Sequence, residues 1–143
     1  MKINIKNIEK AKSIICMHDG YFSGFEYDYI KNIITFKVVA NYYGDTLNCC
    51  FKDVFAFEMH SCEFWGKSAS IYDFEAIIEK ENQILINKIL QENEKTKDPF
   101  SRLNNSPKLI ELKITLISGD TLTIVCKELD VEKINTDKKD RVL

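Results

Sequence analysis

The sequence predicts an α+β fold: a curved, mainly antiparallel sheet of about six strands, one longer helix and a short N-terminal helix. Two hairpin patterns, at 18–39 and 110–126, predict the sheet, and one amphipathic segment at 77–93 predicts the longer helix. A partly closed barrel and a two-layer arrangement both accommodate such a sheet. With 143 residues, of which 45% are hydrophobic and 29% charged, the chain has the composition of a globular domain. We expect a single domain over 1–134 and a frayed polar tail over 135–143.

The first hairpin organises the predicted sheet, because two strand patterns rich in aromatic and β-branched residues follow each other across a short polar turn. Phe25 and Tyr27 are two residues apart and share one face of the first strand. Phe22 is out of phase with them, so we expect a β-bulge at Gly24 to bring it onto their face. The residues of 33–39 then alternate between apolar and more polar, which is typical of a half-buried strand.

The segments between the two hairpins predict the remaining elements. Aliphatic residues at helical spacing predict the short N-terminal helix within 7–16. Alternation over 47–51 and over 55–59 predicts a third and a fourth strand, and Lys52-Asp53 is interpreted as the break between them. A further extended segment is expected within 68–74.

The longer helix and the final hairpin are separated by a predicted loop over 94–107, which contains both prolines. This loop is expected to be more mobile than its flanks. The final hairpin turns at 118–120. Its first strand is expected to bury Ile110, Leu112, Ile114 and Leu116 against the same core as Phe36 and Val38, and to expose Glu111, Lys113 and Thr115.

Composition excludes several classes of function. The net charge of −2 comes from interspersed acidic and basic residues, so no global field favours nucleic acid or an anionic membrane. No apolar run approaches the roughly 20 residues that span a bilayer. The five cysteines are an odd number, and the N-terminal segment does not have the pattern of a signal peptide. We therefore expect a cytoplasmic protein with reduced thiols that binds neither nucleic acid nor membrane.

Two constellations contain residues that bind metal ions or catalyse reactions in other proteins. His18-Asp19 has the residue types of a metal-binding pair, although Asp19-Gly20 is also typical of a turn. Cys49, His60 and Cys62 are candidate zinc ligands. The vicinal thiol of Cys50 points to the opposite face of a strand from Cys49, which argues against a shared ion, and strand cysteines are commonly buried hydrophobes.

No motif assigns a catalytic or cofactor-binding residue. The sequence has no Gly-rich phosphate loop, no G-x-S-x-G elbow and no H-E-x-x-H pair. It therefore predicts no cofactor and favours a non-enzymatic role.

Several short motifs together resemble the YxiG-like family of small bacterial proteins. They are His18-Asp19 before an aromatic hairpin, Phe51-Lys52-Asp53-Val54, Trp65-Gly66, Ser70-Ile71 and the terminal turn Ser118-Gly119-Asp120. The resemblance spans most of the chain and assigns no catalytic residue. It implies an uncharacterised family and an immunity-type role, because some small bacterial domains of this kind lie beside secreted toxins.

Two hypotheses of function follow. The first is a non-enzymatic protein-interaction module whose partner is another protein, and the resemblance implies that it is of immunity type. The alternative is a small-molecule-binding or metal-binding protein, or an enzyme, with a site near His18, Cys49, His60 and Cys62.

Overall fold

The computed structural model describes residues 1–9, 19–39, 45–60 and 70–135. In these residues, eight strands form one sheet and one α-helix packs on it. The strands are β1 (Lys2–Ile3), β2 (Tyr21–Phe22), β3 (Glu26–Asp28), β4 (Ile33–Val39), β5 (Asp45–His60), β6 (Ile71–Ile77), β7 (Ile110–Leu116) and β8 (Thr121–Asn135), and the helix is α1 (Ile84–Thr96).

All the strand pairs in the sheet are antiparallel. The main path runs β2-β4-β5-β8-β7-β6, with β3 also paired to β4 and β1 paired to β8. The predicted sheet-rich α+β class is confirmed, but the sheet has more strands than the predicted number of about six. The additional strands are short, and two or three residues carry too little alternation for a sequence pattern to show them.

The sheet is a nearly closed barrel, because its two edge strands meet. The backbone N–H of Asp19 donates to the carbonyl of Ile71 at 2.8 Å, and the N–H of Ile71 donates to the carbonyl of Gly20 at 2.8 Å. Tyr21 also forms an isolated bridge with Ser70. These contacts join the start of β2 to the start of β6, so both edges are partly covered.

The first hairpin contains the predicted bulge. β2 pairs with β4 through Phe22 and Val38, whereas β3 pairs with it through Glu26 and Thr35. One more residue therefore lies between these pairs on the first strand than on β4. Gly24, in this interval, has a φ of 134°, which only glycine adopts without strain. The extra residue keeps Phe22 on the buried face, as the sequence predicts.

The predicted third and fourth strands are one strand, β5, and the interpretation of Lys52-Asp53 as a break between two strands is wrong. Asp53 has a φ of 54°, and the register with β8 shifts between Val54 and Ala56. A residue in the left-handed region next to a bulge bends a strand without reversing it. β5 therefore pairs with β4 through its first half and with β8 along its whole length.

The main core lies inside the barrel and includes Phe36, Val38 and the alternate residues of β7, as predicted. A smaller apolar cluster joins Leu85 and Ile86 of α1 to Val125 on the other face of β8. The prediction that Glu111 faces solvent is wrong, since only 1% of this residue is exposed. Because α1 covers the outer face at Glu111, the start of β7 is buried on both faces, and period-two alternation does not separate core from solvent there.

The helix α1 begins later than the sequence pattern predicts. β6 stays extended as far as Ile77, and a 3-10 turn at Lys80–Asn82 separates it from α1. The helix then ends at Thr96, so the predicted loop over 94–107 starts later, and it contains a second 3-10 turn at Arg102–Asn105. Among the described residues, no helix is long and apolar enough to cross a membrane.

Two predicted segments fall mainly outside the described residues. They are the N-terminal helix within 7–16, of which the first three residues are described, and the tail over 135–143, of which only the backbone of Asn135 is described.

Candidate functional site

The turn between β3 and β4 presents two large apolar side chains to solvent. Tyr29 is 80% exposed and Ile30 is 89% exposed. We call these two residues the hairpin tip. Single exposed apolar residues are common on protein surfaces, but two adjacent ones at the end of a projecting turn form a convex apolar surface.

Hydrogen bonds on both sides of the hairpin tip fix the conformation of its turn. The backbone N–H of Lys31 donates to Oδ1 of Asp28 at 2.9 Å. The hydroxyl of Tyr27 donates to Oδ1 of Asn32 at 3.2 Å, and the carbonyl of Asn32 accepts from the N–H of Val54 at 3.2 Å. The turn is thereby tied both to itself and to β5, so its side chains are presented in a preorganised arrangement.

A chain of aromatic rings connects the hairpin tip to the barrel. The ring of Tyr27 lies 6.3 Å from that of Tyr29 in an edge-on arrangement and 4.9 Å from that of Phe57. Phe57 in turn lies 5.8 Å from Phe25. Pairs of this geometry add about 0.5–1.5 kcal/mol beyond the area that they bury. The aromatic residues predicted to share one face of the first strand therefore support the tip from below.

A second surface feature is a cleft of about 860 Å³ over β4, β5 and β8. We call it the polar cleft. Pairing in register makes Lys37, Asn48 and Glu132 direct neighbours on three adjacent strands. Two residues further along β5, Cys50 lies opposite Asp130 on β8. The volume is in the range of small-molecule sites, about 300–1,000 Å³.

Asn48 in the polar cleft has an unsatisfied hydrogen-bonding atom. Its Oδ1 is buried and accepts no hydrogen bond. A buried acceptor without a partner costs about 1–3 kcal/mol, so most such atoms in folded proteins are paired with protein, water or ligand. This oxygen has almost no solvent-accessible surface, so a donor in the cleft does not reach it in this conformation.

The charges at the polar cleft balance. Its three carboxylates are matched by three cations, namely the ammonium groups of Lys37 and Lys52 and the amino group of Met1. Asp130 lies 3.7 Å from Nζ of Lys52 and 3.6 Å from the amino group of Met1, so its charge is compensated. Glu26 and Glu132 have no ion-pair partner in the part of the chain that the structure describes. Lys37 is the one lysine among the described residues that line the cleft.

The hairpin tip lies in the turn before β4, whereas the polar cleft lies over β4, β5 and β8. No family model and no curated protein matches the chain. Function therefore has to be inferred from the geometry of these two surfaces.

The structure does not bring the candidate metal ligands Cys49 and His60 together. Cys49 is a buried core residue in the first half of β5, whereas His60 is the exposed last residue of that strand. His18 and Cys62 lie outside the described residues. Within the described residues, no three His, Cys, Asp or Glu side chains are arranged to hold a metal ion.

The described thiols are poor nucleophiles. Burial raises the pKa of Cys49 to about 12 and that of Cys126 to about 12. Burial also raises the pKa of Cys50, and the ammonium of Lys52 opposes this shift. Because the thiolate is the reactive form, these three residues are protonated and unreactive at neutral pH.

His60 belongs to a solvent-exposed ion-pair cluster. Nζ of Lys88 in α1 lies 2.9 Å from one oxygen of Glu58, and Nε2 of His60 lies 3.4 Å from the other. The hydrogen bond from Lys88 lowers the pKa of the Glu58 carboxyl. Exposed pairs of this kind contribute little to stability, and this one links α1 to β5.

Two residues with notable surroundings have no sequence signal. Asn48 occupies an ordinary strand position, and its significance depends on its neighbours in β4 and β8. Glu111 accepts a hydrogen bond at 2.8 Å from the backbone N–H of Ile86 in the first turn of α1. Gln83, the residue before α1, makes no side-chain cap, so a carboxylate from another strand does this instead.

Proposed function

We propose that this protein is a non-enzymatic interaction module that inserts the hairpin tip into a concave apolar pocket of a partner protein. The observation that carries the proposal is the near-complete exposure of Tyr29 and Ile30 on a turn fixed by hydrogen bonds. An immunity-type role, which the resemblance to the YxiG-like family implies, is one form of this proposal. In that form the partner is a toxin.

The energetics favour the hairpin tip as an anchor. Burying a large apolar side chain contributes about 1.5–3 kcal/mol, and tyrosine is among the residues most enriched at interface hot spots. The bonded turn loses little conformational entropy on binding, because its conformation is already set. Such an anchor binds best when it is surrounded by a pocket, since a convex surface buries little area against a flat one.

The shape and charge of the molecule favour a different protein over a second copy. Two tips packed against each other bury far less than the ~1,200 Å² typical of a specific interface. The polar cleft of a second copy has charged walls that do not suit an apolar side chain. At the base of the tip, Glu26 and Asp28 also disfavour insertion into an anionic membrane.

The proposal is tested by photo-cross-linking in the native cells from position 30 and, as a matched control, from position 100. Phe100 is 92% exposed and lies in the loop after α1, so it reports unspecific contacts of an exposed apolar residue. We expect one protein to be cross-linked from position 30 and not from position 100. That protein is then purified, and its affinity is measured by calorimetry for the unmodified protein, Ile30→Asp and Phe100→Ser.

Ile30→Asp is expected to weaken binding at least about tenfold, and Phe100→Ser to leave the affinity unchanged. Neither exposed substitution is expected to change the free energy of unfolding by more than about 0.5 kcal/mol. Equal affinities for the two variants would overturn the proposal. Self-association or vesicle binding that depends on Ile30, in place of a partner protein, would overturn it as well.

A further inference from the structure

The helix α1 lies in a connection that leaves and re-enters the sheet at neighbouring positions. β6 ends at Ile77, β7 begins at Ile110, and Ile77 pairs with Glu111. The chain between these strands adds no strand to the sheet. Its main elements are α1 and the 3-10 turn at Arg102–Asn105. We call residues 84–105 the helical cap.

Little of the helical cap is buried against the barrel. Of the 13 residues of α1, only Leu85 and Ile86, both in its first turn, are buried. They belong to the smaller apolar cluster with Leu109 and Val125, which is separate from the main core inside the barrel. The free energy of a local opening rises with the apolar area that it exposes, so detaching the helical cap costs far less than unfolding the barrel.

Most of the polar contacts between the helical cap and the barrel lie at the protein surface. Nζ of Lys88 lies 2.9 Å from a carboxylate oxygen of Glu58, and the guanidinium carbon of Arg102 lies 3.9 Å from the ring centre of Phe55. Exposed contacts of these kinds contribute little to stability. The buried carboxylate of Glu111 is the exception, and it holds only the first turn of α1.

Hydrogen bonds inside the helical cap join α1 to the turn that follows it. Nδ2 of Asn93 donates to Oδ1 of Asn104 at 3.1 Å, and Nδ2 of Asn104 donates to the carbonyl of Asp98 at 2.7 Å. These bonds do not involve the barrel, so they remain when the helical cap detaches. The helical cap therefore moves as one unit.

Two adjacent residues of β8 report separately on the helical cap and on the barrel. Val125 and Cys126 are both fully buried, and they point to opposite faces of the sheet. Val125 lies in the cluster under α1, whereas Cys126 lies in the main core. Detachment of the helical cap exposes the first residue and leaves the second one buried.

We propose that the helical cap opens as a unit while the barrel stays closed, and that opening uncovers an apolar surface around Phe55, Ala56 and Val125 on the outer face of β5 and β8. This opening exposes little area, so it depends weakly on urea, and global unfolding dominates near the urea midpoint. The surface is distinct from the hairpin tip. This proposal and the docking proposal therefore stand or fall separately.

The proposal is tested by alkylation of Val125→Cys with iodoacetamide in the absence of denaturant. Labelling of each cysteine is followed by mass spectrometry of the peptides. When reclosing is faster than labelling, the rate reports the equilibrium population of the open form. We expect position 125 to be labelled at least about tenfold faster than Cys126 and Cys49, because both native thiols lie in the main core.

Three further substitutions identify the opening that is measured. Ile114→Ala, in the main core, is expected to accelerate labelling of Cys126 at least about tenfold and to leave the rate at position 125 unchanged, since its contacts persist when only the helical cap opens. Ile86→Ala is expected to accelerate labelling at position 125 at least about tenfold, because it removes a buried contact of the helical cap. Gln91→Ala, at an exposed position of α1, is the control and leaves both rates unchanged.

If Val125→Cys does not fold, hydrogen exchange of the unmodified protein and of Ile114→Ala replaces the labelling. The amide of Leu90 in α1 should then exchange at least about tenfold faster than that of Ile124 in β8, and only the rate at Ile124 should respond to Ile114→Ala. Equal rates for the helical cap and the barrel overturn the proposal. It is also overturned if Ile114→Ala accelerates both equally, or if Ile86→Ala does not accelerate labelling at position 125.

Discussion

Glu111 shows how a single residue connects two elements of this fold. Its carboxylate lies on β7, is almost completely buried, and accepts backbone N–H groups from the first turn of α1. These N–H groups have no partner within the helix itself. Glu111 therefore fixes where α1 begins and holds the helix against the outer face of the sheet.

The ionisation of Glu111 gives a testable dependence of stability on pH. Burial raises the pKa of its carboxyl, and the backbone hydrogen bonds from Ile86 and its two predecessors oppose this shift without cancelling it. A raised pKa means that the folded state holds the proton more tightly than the unfolded state. The contribution of Glu111 is therefore fully present below the ordinary glutamate pKa of 4.5 and is lost as the pH rises through the folded value.

We expect Glu111→Gln, which keeps an acceptor but does not ionise, to become more stable relative to the unmodified protein as the pH rises from 4 to 7. Urea denaturation of both proteins at these two values of pH measures the difference. Glu81→Gln, on the exposed turn before α1, is the control and should show no such trend. A trend of opposite sign would mean that the helix N-terminus outweighs burial in setting the pKa of Glu111.

The sequence predicts well on which face of the sheet a residue lies where local conformation decides it. The phase of Phe22 relative to Phe25 and Tyr27 was sufficient to predict the bulge at Gly24, because alternation along one strand is a local property. Asn48 and Glu111 differ, since their surroundings depend on residues from distant parts of the chain. Nothing near them in the sequence indicates which side chains lie beside them.

At the scale of elements, β5 explains why strand boundaries were harder to predict than strand content. Both halves of β5 alternate correctly, and Lys52-Asp53 has the residue types of a turn. Asp53 does adopt a positive φ, as turn residues do, but the chain bends and continues. Whether such a residue reverses a strand depends on pairing with β8, which is remote in sequence.

The strand β7 provides a test of the predicted register. Ile114 is 2% exposed in the main core, whereas Lys113 is only partly buried on the other face. Truncation removes buried area and leaves a cavity, so Ile114→Ala should lower the free energy of unfolding by roughly 2–5 kcal/mol. Lys113→Ala should change it by no more than about 0.5 kcal/mol, since its ammonium has no ion-pair partner among the described residues. Urea denaturation compares the two variants, and equal effects would contradict the register.

At the scale of the whole molecule, the closure of the barrel is the feature about which the sequence carries the least information. A partly closed barrel and a two-layer arrangement are both compatible with the strand patterns. The contact that decides between them is made by backbone groups of residues 19–20 and Ile71. Every residue has such groups, so the side-chain pattern carries no information about which edges meet.

Closure predicts that the barrel unfolds as one cooperative unit. Ile71 lies at the seam between β2 and β6, is fully buried, and belongs to the same core cluster as Ile114 on β7. We therefore expect Ile71→Ala to lower the free energy of unfolding of the entire protein by roughly 2–5 kcal/mol, with a single transition retained. Urea unfolding followed by near-ultraviolet and by far-ultraviolet circular dichroism should give coincident curves in both proteins. Glu75→Ala, at an exposed position of β6, is the control and should shift neither curve by more than about 0.5 kcal/mol. If Ile71→Ala separates the two curves, the seam belongs to a unit that opens independently of the rest of the sheet, because loss of a contact inside one cooperative unit moves both probes together.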